Sequence, residues 1–327
     1  MYSFLFSAQN IQSFAHKKMI GCFLSGGLGN QLFQLATTIA YCLEHKREFV
    51  FPKQKHYLRE NNRPTYWDNL LRGLSPFTID NYSEILQNKL YSEPQHYHTP
   101  IPKPDEIVGD NGCVVLKGYF QSFKYFHTRF SDIMRLTGMD QVRDTVIAKS
   151  RLFDPTNEHT ISIHFRFGDY KNLRCYHPVL SPEYYTLSLL YILQNQKEKE
   201  NSRQRKTVVY CFFEQADVDL VDEYLKTIWN GVLAAGHEIE FRKIEPTYAD
   251  WEQMLLMSGC EDHVIANSTF SWWSAYMNPS PDKIVCYPNV WYGHQLYYIQ
   301  TIDMFPPEWT SIAHDHSFYH SFCKCIK

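Results

Sequence analysis

The sequence predicts an α/β protein, and three observations carry that expectation. Near the amino end, an apolar run, a glycine turn and an amphipathic stretch make a β–turn–α–β unit over residues 19–51. From residue 160 onward, short apolar runs alternate with helical periodicity, the pattern of a parallel doubly wound sheet. Between them FDPTNEH, residues 153–159, reads as a linker, so a first domain covers 1–157 and a second covers 158–327. A chain of 327 residues suits two domains of about 150 each.

Taken in order, Met19 to Leu24 (MIGCFL) is a short buried strand, followed by SGGLGNQ at 25–31. Leu32, Leu35, Ala36, Ile39, Ala40 and Leu43 then recur at helical spacing, and Phe49 to Phe51 is a second strand. The glycines let a ligand approach the backbone, and the helix behind them offers free N–H groups to an anion. A dinucleotide fingerprint is weak here: Glu48 lies at about the right distance, but Gly27-x-Gly29 is followed by Leu32 where Gly or Ala is required. Residues 53–112 hold six prolines from Pro64 to Pro104 and little periodicity, so they read as loops and short helices. Val114 to Lys117 is a strand and Asp140 to Lys149 a helix.

In the second half a strand at 160–165 leads to a helix opening at SPEYY. There Ser181 is placed to cap, Pro182 to start the first turn and Glu183 to meet the dipole. KEKENSRQRK, 197–206, is a solvated break. Val208–Phe213, Ile239–Ile244, Val264–Ala266 and Ile284–Tyr287 are strands, and helices are expected at Asp217–Leu233, around Trp251–Ser258 and at Ser268–Met277.

Composition bounds the function. Hydrophobic residues make up 44% and charged residues 20%, as in an ordinary globular protein. A net charge of −3 argues against a nucleic-acid surface, so anion binding must be local. The nine cysteines lack metal spacing, Cys323 and Cys325 being the only close pair, and they read as mostly reduced. No metal-ligand cluster is read in the sequence, so no metal site is expected. The apolar run near the start, within MYSFLF, is too short to span a bilayer, and no other stretch suffices. A soluble, cytoplasmic chain without a transmembrane segment is therefore expected, with the Golgi lumen as the alternative.

Two further stretches carry anion chemistry. HFRFGDY, 164–170, ends a strand in an arginine and breaks at once into Gly168, Asp169 and Tyr170. Residues just past a strand's carboxyl end face the ligand crevice of an α/β sheet, where Arg166 can meet a phosphate through two parallel hydrogen bonds. ANSTF, 266–270, places Asn267, Ser268, Thr269 and Phe270 at a helix start, where free N–H groups and the dipole favour an anion. Asn267-Ser-Thr and Asn81-Tyr-Ser are also glycosylation sequons; the first is discounted because a strand end inside a phosphate loop would be unusable.

GGLGNQLFQ (26–34), HFRFGDY and ANSTFSWWSAY (266–276), in this order and spacing, resemble the motifs of the α-1,2-fucosyltransferase family, of the glycosyltransferase family 11 type. The resemblance brackets most of the chain. It implies a GT-B fold, two Rossmann-like domains facing a cleft, the second holding GDP-fucose and the first facing the acceptor. It implies inverting transfer of L-fucose from GDP-fucose to O2 of a galactose-containing acceptor glycan, without a metal or any other cofactor. Carried over by position, Arg166 neutralises the pyrophosphate, and Asn267, Ser268, Thr269 and Phe270 match the helix start beneath it. Gly27, Gly29, Asn30 and Gln31 match a loop that closes on the donor, and His164 supports the site floor beside Arg166.

Two departures stand out. Phe167 occupies the place of a second arginine, and alternation along an extended segment points it away from the phosphates. FFEQADVD (212–219) replaces a family-like SDD, leaving Glu214 or Asp217 as stand-ins for a guanosine contact. The catalytic base is open between Asp169, a poor base if ion-paired to Arg166, and His177, in a loop that could reach the site. Two other functions stay open: fucosyl transfer to another acceptor, such as a protein hydroxyl, and nucleotide-sugar binding without catalysis.

Overall fold

The computed structural model describes residues 19–53, 56–57, 63–80, 88–108, 113–199 and 205–314. The early apolar run, the Asn81 sequon, half of KEKENSRQRK, and Cys323 and Cys325 lie outside the described residues. The chain forms two compact units, Met1–Asp144 with Gln300–Pro306, and Thr145–Ile299 with Pro307–Lys327.

The N-terminal unit holds β1 (Met19–Cys22), β2 (Glu48–Pro52), a small antiparallel pair of β3 (His56–Tyr57) and β4 (Arg63–Pro64), then β5 (Thr78–Ile79), β6 (Lys89–Ser92) and β7 (Val114–Lys117). Five of these pair in the order β5-β2-β1-β7-β6, every pair parallel. The helix Leu28–His45 is buried along most of its length and ends on Lys46 in a left-handed conformation. Sequence reasoning reads residues 53–112 as loops and short helices, yet β5 and β6 form there. The β6 residues Lys89, Leu90, Tyr91 and Ser92 are half-buried or exposed, so the edge strand carries no apolar signal.

The C-terminal unit is one six-stranded parallel sheet of β8 (Glu158–His164), β9 (Lys206–Phe212), β10 (Glu240–Lys243), β11 (Asp262–Val264), β12 (Val285–Pro288) and β13 (Thr310–Ile312). Its order, β10-β9-β8-β11-β12-β13, is the Rossmann order, with the chain reversing direction across the sheet between β8 and β11. β8 is buried at all seven positions, as a central parallel strand covered on both faces must be. One face packs Ile161, Ile163, Phe165 and Phe167 against the helices Pro182–Lys199 and Val218–Ala234. The two-unit α/β architecture with Rossmann-like sheets is the one the sequence predicts.

The division falls within the helix Met139–Ser150, earlier than the linker expected at 153–159. The cause is packing: Val146, Leu152 and Phe153 lie against Val208, Tyr210 and Phe212 of β9. Near the other end, Asp303 joins the N-terminal unit, where its carbonyl accepts from Ser122 Oγ at 2.6 Å and its carboxylate pairs with Lys124. Ser181 precedes its helix as expected, but its buried hydroxyl has no hydrogen-bond partner, so it does not cap. Among the described residues the seven cysteines form no disulfide. Among the described residues no helix is long and apolar enough to cross a membrane.

Two buried imidazoles bind the C-terminal sheet to pH. His263 lies between Ser162 Oγ, 2.7 Å from Nδ1, and Asn278 Nδ2, which donates to Nε2 at 2.8 Å. Nδ1 must then carry the proton, and a second proton would have to displace the Asn278 amide. Burial pushes His263 down to about 3, Asp262 raising it and Lys283 lowering it; His164 is likewise pushed to about 3, by burial and then Arg166. The unfolded imidazoles bind protons near 6.5 and the folded ones do not, so stability is complete above pH 6.5 and declines as pH falls towards 3. Thermal unfolding should therefore show a midpoint that begins to drop near pH 6.5, above the carboxylate range. A midpoint flat from pH 7.5 to 5 would contradict this.

Candidate functional site

The site in the C-terminal unit is assembled from the carboxyl ends of three adjacent strands, β9, β8 and β11. The β8 and β11 ends flank the point where the chain reverses, which is where open α/β sheets leave a crevice. The β8 end supplies Arg166 to Lys171, the β9 end Glu214 and Asp217, and the β11 end Asn267 to Phe270.

Beyond β8 the backbone leaves the sheet through a short 3-10 turn, Gly168–Asn172. Alternation turns Phe167 inward: it is buried beside Phe165, with the Tyr224 ring 4.9 Å away. Arg166 consequently faces the strand ends. Its Nη2 meets Asp169 at 2.5 Å, its Nη1 meets Glu214, and its carbon centre lies 5.0 Å from the Tyr170 ring. The planar fork is held at both edges by carboxylates and on one face by an aromatic ring. Gly168, at φ +26°, allows this: a Cβ there would stand 2.7 Å from Glu214 Oε1.

Asp217 holds the turn. Its carboxylate is 1% exposed, and it accepts from the Gly168 amide at 2.8 Å and from Lys171 Nζ at 2.5 Å. Both oxygens are taken from within the protein, so Asp217, one of the two stand-ins for a guanosine contact, is a clamp on the Arg166 turn. Glu214 differs: its side chain is 54% exposed, and its carboxylate engages Arg166. Sequence reasoning passes over Lys171, and also Tyr170, whose hydroxyl donates to the Asn267 carbonyl at 3.1 Å and so ties the Arg166 turn to the β11 end. Both lie within or beside the quoted motif; an aromatic and a lysine after a strand end carry no distinctive signal of their own.

His177 comes to the same place, its ring stacked on Tyr170 at 4.7 Å and 17°. Burial lowers its pKa, Asp169 raising it and Arg166 lowering it, so the imidazole is neutral at neutral pH and able to accept a proton. Asp169, by contrast, is committed to Arg166. His164 lies beneath: buried, neutral, its ring 5.4 Å from Phe270, with Nδ1 unpartnered. It lies under the strand ends, out of reach of solvent.

At the β11 end, Ser268 caps the helix Thr269–Met277 by accepting from the Phe270 amide at 3.3 Å. Asn267 donates to the carbonyls of Pro178 at 2.9 Å and Trp291 at 3.2 Å, while its own Oδ1 is buried without a partner. Phe270 is only half-buried and packs against the β9 face of the core. An arginine and a capped helix amino terminus on neighbouring strands form an arrangement that can take an anion such as a diphosphate. Among the described residues no group of three or more His, Cys, Asp or Glu could hold a metal ion.

The glycine loop belongs to the N-terminal unit. Gly26 has φ +77°, and a Cβ there would meet Asn30 Nδ2 at 2.5 Å; Gly27 stands just before the helix and Gly29 is inside it. Gln31 is buried and donates to the carbonyls of Gly26 and Pro64, each at 3.0 Å, and Asn30 Oδ1 accepts from Gln121 Nε2 at 2.9 Å. Gln31 is thus a brace for the loop.

Comparison with known proteins bears on this arrangement. The family model described as "Glycosyl transferase family 11" matches residues 2–313. An O-antigen biosynthesis glycosyltransferase, WbnK of Escherichia coli, is 28% identical over 315 residues, covering 84% of this chain and 95% of its own. An alpha-1,2-colitosyltransferase of Escherichia coli is 26% identical over 312 residues, covering 88% and 97%. Among solved structures, a mutant of Arabidopsis thaliana FUT1 in complex with GDP aligns with a TM-score of 0.47 and 13% identity, over 90% of this chain and 77% of that one. Fucosyltransferase NodZ from Bradyrhizobium aligns at 0.42 and 12%, over 80% and 94%.

The Asp217 clamp yields a stability test. Asp217→Ala strands a backbone amide and an ammonium group, and should lower the unfolding free energy by about 1–3 kcal/mol. Asp217→Asn keeps an oxygen for the Gly168 amide and should lose less. Denaturant melts of the three proteins check this; identical midpoints would show that the turn does not lean on Asp217.

Proposed function

Because the chain belongs to glycosyl transferase family 11, we propose that it is an inverting α-1,2-fucosyltransferase, moving L-fucose from GDP-fucose to O2 of a galactose-containing acceptor glycan. The observation that carries the proposal is Arg166 at the switch point of a Rossmann-ordered sheet, one strand from the helix start at Ser268 and Thr269. Breaking a glycosyl–phosphate bond passes through an oxocarbenium-like state, so the main catalytic task is to stabilise the departing diphosphate. A guanidinium and a helix dipole can do so without a divalent ion, and the reading is metal-independent.

Arg166 is neutralised by Asp169 and Glu214 before any ligand arrives. In this reading the diphosphate takes the guanidinium from Glu214, the more exposed partner, which then turns to the rest of the nucleotide sugar. The bond between sugar C1 and the phosphate oxygen breaks, its electrons leaving with GDP. The acceptor oxygen bonds to C1 from the opposite face, and its proton passes to a base. Neutral His177 suits that role better than ion-paired Asp169.

A second donor is favoured by one finding. A relative described as an alpha-1,2-colitosyltransferase is matched over 88% of this chain and 97% of its own length. The two readings share the diphosphate site and differ only in the sugar pocket.

Purified protein should consume GDP-fucose with lactose or another β-galactoside from a panel, with EDTA present. Arg166→Ala should cut the rate by about a hundredfold or more, equivalent to roughly 3 kcal/mol of transition-state stabilisation, and Arg166→Lys should recover only part, since a point charge cannot make the bidentate contact. Wild-type rates in Arg166→Ala, or loss of transfer on chelation, would defeat the mechanism. Turnover of GDP-colitose with none of GDP-fucose would decide for the second donor, and GDP binding with no turnover of either would remove the assignment of activity.

A further inference from the structure

The carboxyl ends of β1, β7 and β6 in the N-terminal unit carry a second cluster, centred on Glu93. Glu93 follows β6 directly, and its amide donates to the Lys117 carbonyl at 2.8 Å. Its Oε2 accepts from two successive backbone amides beyond β7, those of Tyr119 at 2.8 Å and Phe120 at 2.9 Å. Its other oxygen, Oε1, has no hydrogen-bond partner among the described residues.

The backbone around this carboxylate is forced. Phe120 is a buried aromatic at φ +53°, in the left-handed region that a bulky side chain rarely adopts. Gly118 lies at φ +157°, and a Cβ there would stand 2.4 Å from Glu93 Cβ and 2.5 Å from Oε2. The same turn is joined to the glycine loop, since Gln34 Nε2 donates to the Gly118 carbonyl at 3.0 Å and Gln121 reaches Asn30. Strain is held beside the glycine loop, around a carboxylate whose Oε1 has no partner among the described residues, and strain of this kind clusters at ligand sites. A cap that served the fold alone could be had from an uncharged acceptor in an unstrained turn.

The chemistry points to a carbohydrate hydroxyl. A half-buried carboxylate with a free oxygen is a strong acceptor for O–H groups, and Tyr119, 37% exposed, offers an aromatic surface of the kind sugars stack on. We propose that Glu93 is the hydroxyl-binding carboxylate of a sugar site on the N-terminal unit, with Tyr119 as its stacking ring, and that the sugar is the acceptor galactoside. The inference rests on the transferase reading above and names a residue pair for its acceptor.

Burial pushes Glu93 up to about 7, against the pull of the two amides. The titratable groups that sense it are Tyr91 on its own strand and Tyr125 beyond β7, both neutral at this pH, their hydroxyls raised by burial first. Only the ionised form accepts freely, so acceptor affinity should weaken as pH drops through about 7.

The test is steady-state kinetics with GDP-fucose and whichever galactoside of the panel the wild type uses best. Glu93→Gln keeps an oxygen for both amides, so the fold and the affinity for GDP, measured by titration calorimetry, should be unchanged. Acceptor KM should rise at least tenfold, and the rise of wild-type acceptor KM below pH 7 should be absent. Tyr119→Ala should raise acceptor KM with little change in kcat. If Glu93→Gln matches the wild type in acceptor KM and in its pH dependence, Glu93 only holds its turn and the inference is overturned. If the wild type transfers to no member of the panel, the transferase reading itself fails, a result told apart from the first by the wild-type arm alone.

Discussion

One buried carboxylate decides whether the candidate site exists. Asp217 sits past the end of β9 and reaches across to the turn that follows β8, taking the Gly168 amide and the Lys171 ammonium on its two oxygens. Irregular backbone at a strand end must find partners for its N–H groups or pay to bury them. With those partners supplied from the neighbouring strand, the turn can send Phe167 into the core and Arg166 to the strand ends within two residues. Every other feature of the site follows from that pinning: the Asp169 contact, the Tyr170 ring on the guanidinium face, and the Tyr170 hydroxyl tied to Asn267.

The local electrostatics then make sense for a protein of nearly balanced charge. Arg166 is not an open cation but a cation held by two carboxylates, one on its own turn and one at the end of the neighbouring strand. Such a guanidinium is oriented in advance and exchanges a surface carboxylate for a phosphate at little cost, whereas an unpaired one would have to be ordered on binding. Phe167 fits the same logic. A second arginine at that position would have to leave the apolar layer that Phe165, Phe167 and Tyr224 form, so the aromatic supports the turn from below while Arg166 works above it.

Much of this was legible in the residues. Alternation along HFRFGDY separates Phe167 from Arg166, and the apolar-run-then-helix rhythm after residue 160 predicts a parallel sheet whose strands lie within a few residues of those expected. Legibility ended where partners come from distant sequence. β6 is a half-exposed edge strand with no apolar pattern, so neither it nor Glu93 at its end stands out. Ser181 has the residue type of a cap and does not act as one. The expected linker at 153–159 is not where the units part, because Leu152 and Phe153 pack on β9 and draw their helix half into the second unit.

What the chain's order of residues determined by itself is the periodicity: which runs are strands, which turns need glycine, and which charged residues stand just past a strand end. What only the tertiary structure decided is which of those residues meet. Asp217 and Glu214 are three positions apart on one turn, yet one is sealed beneath the Arg166 turn and the other lies open beside it. The difference comes from the order of strands in the sheet, which brings β9 beside β8, and no local pattern encodes it: periodicity is a property of neighbours along the chain, whereas burial is a property of neighbours across it.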